Sequence, residues 1–205
     1  MISAVMISCR ERDHIREETL TNLKSTDWEW DVNIIIDKDY VETSVTDKKE
    51  RQALASYHAL KQALSKPDPW IVFMEDDLIF NKHIAYNIKN WYPIECNVLN
   101  LGSLYTPSNN RCSVEDGKYW YKADYLRLYG SQFYIMSRLA TSWAVDHWHS
   151  EIGMQDIKIT RLSRGKEIYY HSPSLVQHRP VSSVWGGVSH QASDFDEDWK
   201  HPNEY

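Results

Sequence analysis

Three short apolar runs, each closing on polar or acidic residues, constrain this chain more than any other feature. Ile2–Ser8 runs into Cys9-Arg10, Val32–Ile36 closes on Asp37-Lys38-Asp39, and Trp70–Met74 closes on Glu75-Asp76-Asp77. None alternates apolar with polar residues, so each reads as a strand buried on both faces. Between them, residues 11–24 carry Ile15, Thr19, Leu20 and Leu23 at helical spacing. Residues 47–64 carry Leu54, Tyr57, Leu60, Ala63 and Leu64 on one helix side. A helix over 81–91 and a short strand over 97–101, ending at Gly102, continue the series. Alternating strand and helix predicts an α/β fold with a mainly parallel central sheet flanked by helices.

Beyond Gly102 the pattern changes. Residues 118–123 and 125–136 read as strands, with aromatic and polar residues alternating in places, and 138–148 and 153–163 read as helices. From Glu167 onward come short extended pieces and a tail rich in Asp, Trp, His and Pro. The chain of 205 residues suits one domain. Its 42% hydrophobic and 25% charged residues exclude collagen-like, disordered and membrane-spanning classes. A net charge of −6 gives no general basic surface for a nucleic-acid backbone. No apolar run approaches the ~20 residues that cross a bilayer, so no membrane insertion is expected. Cys9, Cys96 and Cys112 are odd in number and form no CxxC pair. Reduced thiols and a cytoplasmic location are the plain expectation, for a complete enzyme or for one domain of a longer polypeptide. Nine Trp and thirteen Tyr serve a core, and also suit a sugar-binding cleft.

In an open parallel sheet, ligands bind outside the carboxyl ends of the strands. Three strand ends therefore aim Ser8, Arg10, Asp37, Asp76 and Asp77 at one edge. Three adjacent carboxylates repel one another and are costly to desolvate, and a divalent cation relieves both problems. Mg²⁺ typically takes one or two protein carboxylates plus substrate phosphates, and Mn²⁺ accepts similar oxygen-rich sites. A solvated acidic turn is the plain alternative. Asp37 either accepts a hydrogen bond from a nucleoside or caps a turn. Arg10 either faces a phosphate or base or pairs with Glu11 or Asp13. Arg51 belongs to the site only if the start of its helix points into the same cleft. Asp156, after Gly153-Met154-Gln155, is either a favourable acid in a first helical turn or a general base. Residues 173–187 are dense in polar and turn-forming residues and offer His178 as a metal ligand and Arg179, Ser182 and Ser183 as phosphate contacts.

Taken in order, these strings resemble the GT-A glycosyltransferases, which use a nucleotide-sugar donor and a divalent metal. The resemblance rests on Cys9-Arg10-Glu11-Arg12 after a first strand, Ile34-Ile35-Ile36-Asp37, Phe73-Met74-Glu75-Asp76-Asp77, and Pro173–His178 followed by Ser182-Ser183. The last string is similar to one in some N-acetylglucosaminyltransferases, and the compact size is similar to glycosyltransferases encoded by large chlorella viruses. The resemblance implies one GT-A, Rossmann-like domain over 1–205, with a nucleotide-binding half at 1–102. Residues 103–205 would form the acceptor-side half and a carboxy-terminal loop. It implies Mn²⁺ or Mg²⁺ on Asp77, with His178 as a further ligand or a diphosphate contact, and a UDP-sugar donor. Asp76 would contact the ribose or metal-bound water, and Asp37 would sit near the uridine. Ser8, Arg10, Arg51, Ser182 and Ser183 complete the donor site. Asp156 matches the general base of inverting members, although Gln155 stands where they carry a first acid. The expected activity is transfer of a hexose-type sugar to a glycan acceptor, in a host cytoplasm if the protein is viral. A sugar nucleotidyltransferase needs a glycine-rich loop after the first strand, and Ser8–Asp13 has no glycine. A non-catalytic carbohydrate-binding module would use the aromatics but not the acidic string. Retention and inversion both remain open at this level.

Overall fold

The computed structural model describes residues 1–106, 118–123, 132–163, 165–181 and 191–202. Its central sheet has seven strands in the order β2 (Val32–Ile36), β1 (Ile2–Ser8), β3 (Trp70–Met74), β7 (Phe133–Ser137), β5 (Leu101–Ser103), β8 (Ile168–His171) and β6 (Trp120–Ala123). β2, β1 and β3 pair in parallel, as do β5 and β8. β7 runs antiparallel between β3 and β5, and β6 antiparallel to β8. Five of the seven strands thus share one direction. β4 (Leu78–Phe80) and β9 (Val176–His178) form a separate antiparallel ribbon.

The two-residue period of the strands sorts side chains onto two cores. Ile2, Ala4 and Met6 of β1 join Trp70, Val72 and Met74 of β3 on one face, with Leu23 of α1 (Asp13–Lys24) and Ile84 and Ile88 of α4 (Ile84–Lys89). Val5, Ile7, Ile71 and Phe73 point the other way, against Ala59, Leu60 and Ala63 of α3 (Lys48–Ala63) and Ala144 of α6 (Arg138–Asp146). Each large side chain so buried contributes roughly 1.5–3 kcal/mol. α3 buries mostly small residues, Ala53, Ala55, Ser56, Ala59 and Ala63, which lets it lie close to the sheet. Asp47 caps it by accepting from the Glu50 N–H at 2.8 Å.

Three expectations need correction. β2 is an edge strand, and of its residues only Ile35 is fully buried. The helix expected over 81–91 follows the strand Leu78–Phe80 and is confined to α4; a separate short helix, α5 (Tyr92–Glu95), starts beyond it at the Tyr92-Pro93 step. The strand expected at 97–101 lies at Leu101–Ser103. There Gly102 passes so close beneath Trp91 that a Cβ would stand 2.4 Å from its ring.

His171 lies fully buried under Trp91 and Trp199, with ring centroids 5.7 and 5.2 Å away. Its Nδ1–H donates to the Pro173 carbonyl at 2.6 Å, so Nε2 carries the lone pair, buried and without a protein partner. Burial pulls this imidazole down to about 3; the Pro173 hydrogen bond opposes that and His201 adds to it. The unfolded chain takes up this proton near its ordinary value of ~6.5 while the folded chain does not, so stability is lost as pH falls through ~6.5. Between pH 7 and pH 5 the loss from this one group is about 2 kcal/mol. Urea unfolding at the two pH values checks it. His171→Asn should be less stable at pH 7 yet lose less on acidification, and equal losses in parent and variant would remove His171 as the cause.

Candidate active site

β1, β2 and β3 end side by side and place their last residues around a cavity of about 560 Å³. Ser8, Cys9, Glu11, Arg12, Asp37, Glu75 and Asp76 line it, and α3 adds Lys48, Arg51 and Gln52. The start of α3 thus does face the cleft, which was the condition for Arg51 to matter. Val181 also lines it. The volume is that of an ordinary ligand site.

In the cavity lining, Asp37 opens the short helix α2 (Asp37–Tyr40) and is buried. Arg51 forks onto its Oδ2, through Nε at 2.7 Å and through Nη2, while the Arg10 backbone N–H donates to Oδ1 at 3.2 Å. The Arg10 guanidinium itself lies outside the cavity lining and pairs with Glu11 at 4.0 Å.

The acidic string stands beside the same cavity, with Glu75 and Asp76 in its lining. The Ser8 hydroxyl donates to Asp76 Oδ2 at 2.6 Å and accepts from Arg16 Nη1 at 3.2 Å. Every turn of backbone around Asp77 is tied. Glu75 N–H donates to the Gln132 carbonyl, Asp76 O accepts from Thr19 Oγ1 at 2.7 Å, and Leu78 N–H donates to that same Thr19 oxygen at 3.2 Å. The β4–β9 ribbon pairs Leu78 with His178, across 100 residues of chain, and the Arg179 N–H donates to the Asp77 carbonyl at 2.8 Å. The Arg179 guanidinium is spent on the Leu78 carbonyl and on Glu18, which fastens the ribbon to α1.

The ribbon sets His178 Nε2 3.2 Å from Asp77 Oδ2, while Nδ1 faces the Arg179 carbonyl at 2.9 Å. Both partners only accept, so the ring carries both protons in this arrangement. Burial opposes that charge, but the hydrogen bond to Asp77 and its negative charge hold His178 above its ordinary value. Asp77 behaves reciprocally: burial pushes it up, and His178 and Arg12 together outweigh burial and keep it ionised. Arg12 reaches in from the 3-10 turn after β1, with Nη2 2.5 Å from Asp77 Oδ2 and Nη1 3.1 Å from Asp76 Oδ1. Burial, then the neighbouring Asp77, raise Glu75 to about 8, so it is largely protonated at neutral pH. Burial likewise raises Asp76, to about 6, against Arg12 and Ser8. The acids therefore do not repel one another unrelieved, as the sequence suggested. Two ionised carboxylates face two cationic side chains.

The same groups fit a divalent cation. Glu75, Asp77 and His178 offer donor atoms within 4.8 Å of one another. Asp77 Oδ1 is buried without a partner, a spare lone pair at the centre of the cluster. The Nδ1–H bond to Arg179 O fixes the ring so that Nε2 is the nitrogen available for ligation, the usual outer support of a metal-binding His. Two oxygens and one imidazole nitrogen suit Mn²⁺ better than Mg²⁺. The cavity offers no cysteine nucleophile, because burial and then Asp76 lift the Cys9 thiol to about 11.

Asp156 is the second residue of α7 (Gln155–Leu162). It does not line this cavity, and its Oδ1 accepts from the next backbone N–H, Ile157, at 2.8 Å. Gln155 beside it is fully buried, held by the Ser56 hydroxyl and Tyr134 OH. Ser182 and Ser183 lie outside the described residues. Sequence reasoning gave no role to Arg12, Thr19 or Gln52, whose Nε2 reaches Glu75 Oε1 at 3.3 Å. Arg12 was signalled only by being a second arginine in Cys9–Arg12, and Thr19 and Gln52 by nothing but helical spacing.

Solved structures share this architecture. Residues 1–349 of S. aureus TarS, in complex with UDP-GlcNAc, superpose with a TM-score of 0.56 at 15% identity over 86% of this chain. The galactosyltransferase LgtC, with donor and acceptor sugar analogues, superposes at 0.50 and 10% identity over 87% of each chain. The fold is that of the GT-A glycosyltransferases. This chain spans 57% of TarS 1–349 and 37% of a longer TarS chain. No protein-family model matches the sequence, and no curated protein does. No helix among the described residues is long and apolar enough to cross a membrane.

Proposed function

We propose that this protein is a metal-assisted glycosyltransferase that moves a sugar from a nucleoside-diphosphate donor, UDP in the first instance, to a carbohydrate acceptor. One observation carries the reading: Asp77, Glu75 and His178 converge beside a ligand-sized cavity, which Glu75 and Asp76 line together with the Asp37–Arg51 pair. A cation site and the Asp37–Arg51 pair around one cavity suit a ligand that carries both a diphosphate and a nucleoside. The fold and the donor bound in the TarS structure support it further.

In this reading Asp37 and Arg51 bind the base, and Asp76 and Ser8 bind the ribose. Asp77 and His178, with Glu75, hold the cation. Bound there, a divalent cation offsets the negative charge that gathers on the diphosphate as the C1–O bond breaks. Ser182 and Ser183 are the proposed further contacts to the phosphates. The acceptor hydroxyl must lose its proton as it attacks C1. Asp156 is the proposed base for an inverting reaction; to serve, it must release the Ile157 N–H and face the sugar.

The test is thermal stabilisation by UDP with and without Mn²⁺. A ligand that binds only the folded chain adds about 2.7 kcal/mol at a hundred times its dissociation constant. The expected result is a rise in melting temperature with UDP and Mn²⁺ together and almost none with UDP and EDTA. Equal shifts in both would set aside the metal.

A further inference from the structure

We propose that Arg12 competes with the divalent cation for Asp77, and that its guanidinium, once displaced, turns to the donor diphosphate. The proposal rests on the metal-assisted reading above. Its basis is one shared atom. Asp77 Oδ2 is the oxygen that faces His178 Nε2, at 3.2 Å, and the same oxygen that Arg12 Nη2 holds at 2.5 Å. A cation bridging His178 Nε2 and Asp77 Oδ2 lies against the very oxygen that Arg12 now holds, and taking the unpartnered Oδ1 as well would not move the guanidinium away. It would also meet a guanidinium at contact distance, a like-charge approach worth several kcal/mol in a partly buried site. For the cation to settle on Oδ2, the guanidinium must move off it.

Arg12 ends the 3-10 turn before α1, with φ −118° and ψ 22°, at the junction between two regular elements. Its side chain can swing without unwinding α1. It lines the cavity, and its Nε is buried without a partner, so the present pose leaves one donor unused. A phosphate oxygen in the cavity would let the guanidinium exchange two carboxylates for an anion of comparable charge, with charge-assisted hydrogen bonds to spare. Arg12 thereby keeps Asp76 and Asp77 paired and ionised before ligands arrive, and adds positive charge beside the leaving group afterwards. Arg51 cannot play this part, since its fork is committed to Asp37.

Titrating Mn²⁺ by calorimetry into the parent and Arg12→Gln, without nucleotide, reads the competition directly. The variant should bind Mn²⁺ at least about tenfold more tightly, roughly 1.4 kcal/mol. The metal-free variant should melt lower than the parent, and Mn²⁺ should restore more of its melting temperature. At saturating Mn²⁺, UDP should bind the variant about tenfold more weakly. Mn²⁺ affinity that is unchanged or reduced would overturn the competition, and unchanged UDP affinity would overturn the turn to the diphosphate. If Mn²⁺ binds neither protein while UDP binds both, the metal-assisted reading fails and this proposal with it. Should Arg12→Gln not fold, Arg12→Lys carries the test. Lysine keeps the charge but cannot bridge two carboxylates, so Mn²⁺ should again bind more tightly than to the parent.

Discussion

Asp77→Asn is expected to lower sugar transfer, or donor hydrolysis, by at least ~10²-fold with the fold intact, since it loosens the cation proposed to offset the developing anion, and losing one such preorganised stabilising group typically costs that much. The substitution changes charge and almost no volume. The Asn oxygen can still accept from Arg12, and the backbone ties to Gln132, Thr19 and Arg179 do not involve the side chain. What disappears is the negative charge that holds His178 protonated in the parent and that ligates the cation in the proposed holoenzyme. Arg12 then keeps only Asp76 as an ionised partner, and His178, without the Asp77 charge, should drop its second proton. Stability should therefore move little, while Mn²⁺ affinity and turnover fall together. Calorimetry with Mn²⁺ and donor turnover at saturating metal read both. Turnover within threefold of the parent at saturating donor and Mn²⁺ would exclude Asp77 from the chemistry.

Much of the frame was legible because strand composition and the polar ends of strands are local signals. Ile2–Ser8 and Trp70–Met74 are buried strands, and the residues after them do share one cavity wall with Asp37 and Arg51. The acidic string was legible for the same reason. Its counter-ions were not. Arg12 meets Asp77 from 65 residues away and His178 meets it from beyond 100, and both depend on how elements dock, not on any period along the chain. The ribbon that delivers His178 was invisible because Leu78-Ile79-Phe80 is too short to read as a strand beside the acids that precede it. β2 was misread as a buried strand because Ile34 and Ile36 are apolar whether or not a neighbour covers them; Ile34 is 37% exposed at the sheet edge. Asp156 shows the limit from the other side. Its place at the start of α7 was correctly expected, yet sequence position says nothing of where its carboxylate points, and here that carboxylate lies on the Ile157 N–H.

The last expectation concerns a residue with no chemistry of its own. Thr19 looked like one more position on the inner face of α1, where an isoleucine or valine would serve equally well. It is fully buried, and its hydroxyl donates to Asp76 O at 2.7 Å and accepts from Leu78 N–H at 3.2 Å, so a single oxygen spans the residue that carries the acidic site. Valine has the same shape without the oxygen. Thr19→Val leaves a buried carbonyl and a buried N–H unpaired, each costing roughly 1–3 kcal/mol, for a total of about 2–6 kcal/mol. For a chain of this length that is a fall in melting temperature of roughly 6–18 °C. Thr19→Ser keeps the oxygen and loses one methyl, about 1 kcal/mol. A second reading separates positioning from bulk stability. With Leu78 and Asp76 released, the Asp77 carboxylate loses its fixed direction, so Thr19→Val should also weaken Mn²⁺ binding several-fold at temperatures where it is fully folded, and Thr19→Ser should not. If valine is tolerated as well as serine, in melting and in Mn²⁺ titration, then α1 merely fills space behind the site, and the direction of Asp77 is set by the Arg179 and Gln132 contacts alone.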